Sequence, residues 1–145
     1  MVLKREFSEG RKKRMKRTLL SRRYKATGPT AEVVETVYER AAYSCEICTE
    51  GVGDRRGVDH HIHHRRPRAA GGSKRADTNL PSNLLLLCPT CHRQVESHRG
   101  PAQSMGWLVV QGTDPATVAV LVQRDRWVYL TESGTYADEP PEVEG

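Results

Sequence analysis

Large apolar side chains are scarce in this chain. Its 145 residues include two Trp, five Tyr and one Phe, and 37% are apolar. A core built from so little is small, which makes a structural metal an expected supplement to burial. Long hydrophobic runs are missing too. None approaches the roughly 18 residues that span a bilayer, and no apolar signal segment opens the sequence, so the expectation is a cytosolic protein with no membrane partner. Acids are few at one end and bases absent from the other. Residues 1–27 carry eleven Lys/Arg against two Glu, a net of +9, whereas residues 132–145 carry five acids and no base. A basic arm on a nearly neutral body points to a polyanionic partner, nucleic acid first. The alternative is a solubilising or targeting tail.

What is present in quantity is metal-ligand chemistry. Cys45 and Cys48 form one CxxC pair and Cys88 and Cys91 another, thirty-nine residues apart. In a reducing compartment this spacing suits a closed tetrahedral zinc site of four thiolates, which contributes folding energy directly. Disulfides or a redox dithiol are the competing readings, and a matched pair of motifs argues against the second. Between the pairs, His60, His61, His63 and His64 occupy four of five consecutive positions, and His92 follows directly on Cys91. Neighbouring imidazoles can divide metal binding from proton transfer.

The organisation follows from these landmarks: a basic arm over 1–27, one domain over 28–131 and an acidic, loose tail over 132–145. Thr30 as N-cap, with Val33, Val34, Val37 and Ala41 at helical spacing, predicts a helix over about 30–43. From Gly57 the chain turns extended as far as Pro67, with His60, Ile62 and His64 on one strand face and His61 and His63 on the other. Leu84 to Leu87 is the most apolar stretch and leads into the second cysteine pair. A helix over about 90–99 carries His92 and Glu96 one turn apart on one face, and Gly100-Pro101 ends it. Gly106–Val110 and Arg126–Leu130 read as two short strands that pair, with a helical turn at Asp114-Pro115 between them. Residues 55–75 carry seven Lys/Arg and one Asp, a net of +6. Within that patch Arg65, Arg66, Arg68, Lys74 and Arg75 are candidate phosphate contacts.

The run from His63 through Pro67 to Gly71-Gly72, then Asn83 to Cys88, then Cys91-His92, resembles the HNH endonucleases. The resemblance covers about residues 43–99, and its style is similar to HNH proteins of actinobacterial phages. It implies an α+β fold: a small zinc-stabilised ββα-metal (His-Me finger) domain, here with a flanking helix and a short C-terminal β-hairpin. It further implies that His63 binds a catalytic metal, that His64 is the general base, that Asn83 holds the loop orienting that base, and that His92 is a second ligand. Glu96 stands where some members place another ligand His. Asp59-His60 is a rival register for the His63-His64 pair, but it lacks the proline and glycines at family spacing. Asn83 could equally be a helix N-cap and His92 a spare residue beside the knuckle. His60 and His61 have no family role; His60 shares a face with His64 and could touch phosphate, but the expectation is that it is solvated, as is His98.

The implied activity is metal-dependent hydrolysis of DNA phosphodiester bonds. One structural Zn2+ and one catalytic divalent ion are expected, the latter Mg2+, Mn2+, Ni2+, Co2+ or Zn2+. DNA is the expected partner, with phage packaging proteins such as the terminase as further candidates and the host cytoplasm as location if the chain is phage-encoded. A non-catalytic zinc-bound DNA-binding module is the competing reading. It explains the cysteines and the arm but leaves the histidines without a task.

Overall fold

The computed structural model describes residues 28–68 and 75–142. The basic arm, Gly71-Gly72 and Lys74 lie outside the described residues. Eight regular elements run in the order α1 (Ala31–Arg40), β1 (His61–His64), β2 (Leu84–Leu87), α2 (Pro89–Ser97), α3 (Arg99–Ser104), β3 (Val120–Val122), β4 (Arg126–Leu130) and β5 (Tyr136–Ala137). The α1 helix begins as its sequence indicates, with the Thr30 hydroxyl accepting from the Val33 amide at 3.3 Å. It ends at Arg40, short of the expected 43, because Ala42 and Tyr43 take left-handed φ values of 52° and 56° and turn the chain into the first cysteine knuckle.

β1 and β2 form an antiparallel ribbon in which His61 faces Leu87 and His63 faces Leu85. Residues directly opposite one another project to the same side. Leu85 and Leu87 pack with Cys45, Cys88, Cys91, Val95 and the β3-β4 valines, while Leu84 and Leu86 pack under Val37 of α1. All four leucines are therefore buried, as in any strand covered on both faces. The strand expected from Gly57 is shorter than that, since Gly57 to Asp59 form a turn and regular pairing begins at His61.

Three further expectations need correction. Gly106–Val110 is not a strand. β4 pairs with Val120–Val122 and with Tyr136–Ala137 instead. The Trp107 to Val109 segment crosses the end of β1, donating the Val109 amide to the Arg65 carbonyl at 2.8 Å. Gly100-Pro101 does not stop the helical path either. A second short helix, α3, starts at Arg99, with Pro101 in its first turn, where a missing N–H costs nothing. Gly106 closes it at φ 74°, where any Cβ would collide with the Ala119 carbonyl. Nor is the tail loose from Glu132, because Tyr136 reaches back into the core.

That contact completes a buried polar network. The Arg40 guanidinium donates to both carboxylate oxygens of Glu46 at 2.8 and 3.0 Å and to the carbonyls of Pro81 and Leu84. Glu46 also accepts from the Leu86 amide and the Tyr136 hydroxyl, both at 2.7 Å. It ties α1, the knuckle, β2 and β5 together. Removing one partner of a buried pair leaves the other charge uncompensated, so Arg40→Ala should cost about 3 to 5 kcal/mol. Urea titration checks it, and a loss under about 1 kcal/mol would show that the network is dispensable.

Candidate active site

The four cysteine sulfurs lie within 4.8 Å of one another. Cys48 Sγ to Cys88 Sγ is 3.8 Å. A disulfide needs about 2.05 Å. A tetrahedral zinc with sulfurs at about 2.3 Å has edges of about 3.8 Å, so the spacing fits an ion rather than a covalent bond. Cys88 also caps α2, its sulfur accepting from the Cys91 amide at 3.4 Å, with Pro89 in the first turn. The first knuckle is braced from outside: the β3-β4 turn donates the Gln123 amide to the Glu46 carbonyl and the Arg124 amide to that of Ile47. Burial pushes the Cys45 thiol up to about 11 and raises Cys91 as well.

A second group comprises His63, His92 and Glu96, one donor atom of each again lying within 4.8 Å of the others. His63 sits on the β1 face that meets α2, and His92 and Glu96 are one helical turn apart. His63 is buried, and its Nε2 donates to the Trp107 carbonyl at 2.9 Å. The lone pair therefore resides on Nδ1, 3.9 Å from the Glu96 carboxylate. Burial pushes the His63 imidazole down to about 4, so this approach is not an ion pair at neutral pH. His92 Nε2 is 4.0 Å from the same oxygen. Ligands at about 2.1 Å have tetrahedral edges near 3.4 Å, so each imidazole would close on the Glu96 carboxylate by about half an ångström to share a divalent ion. Glu96 is exposed enough to make that approach. The Trp107 carbonyl fixes the His63 ring through a hydrogen bond of the kind that orients metal-binding imidazoles.

His64 projects from the opposite face of the strand end and is half-buried. Its Nε2 donates to Asn79 Oδ1 at 2.9 Å, which leaves the Nδ1 lone pair available. Burial lowers its pKa, assisted by the charges of Arg68 and Arg56 against the Asn79 bond, so it is neutral at pH 7. Asn83 does not touch it. Wholly buried, Asn83 accepts from the Arg66 amide at 2.8 Å and donates to the carbonyls of Thr78 and Arg66. It thus holds both the chain just after His64 and the loop that carries Asn79. Its side chain caps no helix.

Arg65 and Arg66 are not where phosphate contacts could be. The Arg65 guanidinium is fully buried and donates to the carbonyls of Ser82, Gly106, Pro115 and Val118. Burial pulls it down to about 9, still charged at neutral pH. Arg66 is 2% exposed, bound to Asp77 and to the Thr113 carbonyl. Arg68 and Arg75 remain at the surface, Arg75 beside Asp77 at 3.4 Å. Arg56, which no motif marked, joins Arg68 in the field around His64.

The remaining histidines divide. His60 is buried rather than solvated: Nδ1 donates to the Gly53 carbonyl and Nε2 accepts from the Tyr38 hydroxyl, each at 2.7 Å. Asp59 is bound to Arg55, and the rival Asp59-His60 pair joins neither group of converging donor atoms. His98 is exposed and stays outside the ligand group. Asn79, Trp107 and Arg56 are the residues that motif reading missed. Their only sequence signal was position, inside or beside the basic patch or within the expected Gly106–Val110 strand, and a backbone carbonyl such as that of Trp107 carries no signal at all.

A family model described as HNH endonuclease matches residues 45–98, from the first cysteine of the knuckle to the end of α2. No curated protein and no solved structure matches the chain.

Proposed function

We propose that the protein, whose residues 45–98 match the HNH endonuclease family model, hydrolyses DNA phosphodiester bonds with the aid of one divalent ion, beside a separate structural zinc. His64 Nδ1 takes a proton from water. The water oxygen forms a bond to phosphorus in line with the P–O3′ bond, which breaks, and the departing 3′ oxygen is protonated, leaving 5′-phosphate and 3′-hydroxyl ends. His63 Nδ1, His92 Nε2 and Glu96 would hold the ion, which when bound neutralises the charge developing on phosphate and leaving oxygen. Three protein ligands leave positions open for water and substrate, as a catalytic site requires. Asn79 sets the tautomer of His64, Asn83 sets the loops around it, and Arg56, Arg68 and Arg75 are the phosphate-positioning candidates.

The observation that carries this reading is the convergence of His63, His92 and Glu96 on one point, next in the chain to a neutral histidine with a fixed tautomer. A non-catalytic DNA-binding module has no need of it. Supercoiled plasmid incubated with the zinc-loaded protein and Mg2+, Mn2+, Ni2+, Co2+ or added Zn2+ should be nicked or cut, and EDTA should stop it. If no metal supports cutting while DNA is still bound, the binding-module reading replaces this one.

The arm gives a separate expectation. Deleting residues 1–27 removes a net charge of +9. If about five of its basic side chains meet phosphates, the slope of log K against log salt should flatten by about 4 to 5 units. Fluorescence-anisotropy titrations across salt concentrations measure it, and identical slopes would assign the arm another purpose. Among the described residues no helix is long and apolar enough to cross a membrane.

A further inference from the structure

His92 differs from His63 in one respect. The second nitrogen of His63 is bound to the Trp107 carbonyl. Among the described residues, the His92 ring makes no hydrogen bond. A metal-binding imidazole without such a partner is free to rotate about its side-chain bonds, which ordinarily weakens the site. Yet the ring is not loose. The His61 imidazole lies face to face with it, centroids 4.2 Å apart and planes 16° from parallel. The His63 ring meets it edge-on at 5.6 Å and 69°. His61 is there by register: opposite Leu87, on the same strand face as His63 and two residues before it.

We propose that His61 is a positioning residue for the divalent ion, its stacked ring fixing the plane of His92 in place of the missing hydrogen bond. His61 does not itself enter the group of converging donor atoms. Two imidazoles stacked in parallel planes present their lone pairs within those planes, so the partner ring steers His92 without competing for its ion. An aromatic ring at position 61 is required and its nitrogens are not, which separates this role from ligation. The inference rests on His63, His92 and Glu96 being the ligand set.

The test is calorimetric titration of Ni2+ into zinc-loaded full-length protein, with zinc content and Tm recorded for every variant. Wild type should bind one Ni2+, and His63→Ala should weaken that binding below what the titration detects. His61→Ala should weaken it about tenfold or more, the usual penalty for losing a residue that orients a ligand, with zinc and Tm retained. His61→Phe should stay within about threefold of wild type, because stacking survives without the nitrogens. Where His61→Ala loses its zinc, His61→Leu against His61→Phe makes the same comparison at nearly constant bulk. Wild-type affinity in His61→Ala overturns the positioning role alone. So does a His61→Phe as weak as the alanine variant, since the nitrogen would then be what matters. A wild type that binds no Ni2+, or binding indifferent to His63→Ala, overturns the ligand set and the inference with it.

Discussion

Replacing Cys45 or Cys88 with serine should leave the domain unfolded, and stripping the zinc should do the same to the native chain. Cys45, Cys88 and Cys91 are not appended to the core. They pack in one cluster with Leu85, Leu87, Val95, Val120, Val122, Val128 and Leu130. Cys88 also caps α2, and Cys45 precedes the Glu46 that anchors the buried network. Structural zinc contributes about 10 to 16 kcal/mol of apparent binding energy at pH 7, whereas whole domains are stable by about 5 to 15 kcal/mol. Losing one thiolate therefore removes most of what holds the fold. Because burial raises the Cys45 and Cys91 thiols, binding must displace their protons, and zinc affinity should fall as pH falls. Metal analysis with amide-dispersed NMR spectra decides the matter: a well-folded, zinc-free protein would refute the assignment.

The parts of the site that sequence alone made legible are those whose spacing is local. Cys45 and Cys48, Cys88 and Cys91, and His92 and Glu96 meet because a two-residue spacer or one helical turn makes them meet. His63 was matched to them only through the family resemblance, on the spacing of Pro67 and Gly71-Gly72 from His64, and the ribbon register then places it on the face toward α2. Long-range partners were not legible. Arg65 and Arg66 stand in a basic run and look like surface charge, but carbonyls from Gly106, Pro115, Val118 and Thr113 close over them, and these come from 41 to 53 residues away. The wrong strand pairing has the same cause. Gly106–Val110 has strand composition, yet its Gly106, Trp107 and Leu108 amides go back to the carbonyls of Gln103 and Ala102, and its Val109 amide goes to Arg65. Its Gly106 and Trp107 carbonyls accept from the Arg65 and His63 side chains, while Val120–Val122 pairs with β4. Tyr136 lies in an acidic, proline-containing stretch, and nothing nearby in sequence indicates the carboxylate it binds ninety residues back.

His64→Ala is expected to abolish most cleavage while preserving fold, zinc and DNA binding. The side chain is half-buried, its ring bonds to Asn79, and it belongs to neither apolar cluster, so its removal leaves the core packing in place. What it removes is proton abstraction from the attacking water, and loss of a general base costs roughly 10²- to 10⁴-fold, equivalent to about 3 to 5 kcal/mol in the barrier. His63→Ala and His92→Ala should be nearly inactive for a different reason, the loss of an ion ligand, so raised metal concentration should restore part of their activity. It should not restore His64→Ala. Asn79→Ala belongs between these cases: the base remains, but its Nε2 proton is no longer held, and a drop of about tenfold with unchanged metal affinity is expected. His60→Ala should behave differently again, with a lower Tm from losing the Tyr38 and Gly53 bonds but with activity retained per folded molecule. Single-turnover cleavage of a labelled duplex at several metal concentrations separates all four behaviours. If His64→Ala cuts at the wild-type rate while folded His60→Ala does not cut, the general base lies four residues earlier in the chain than the geometry of His64 and Asn79 indicates.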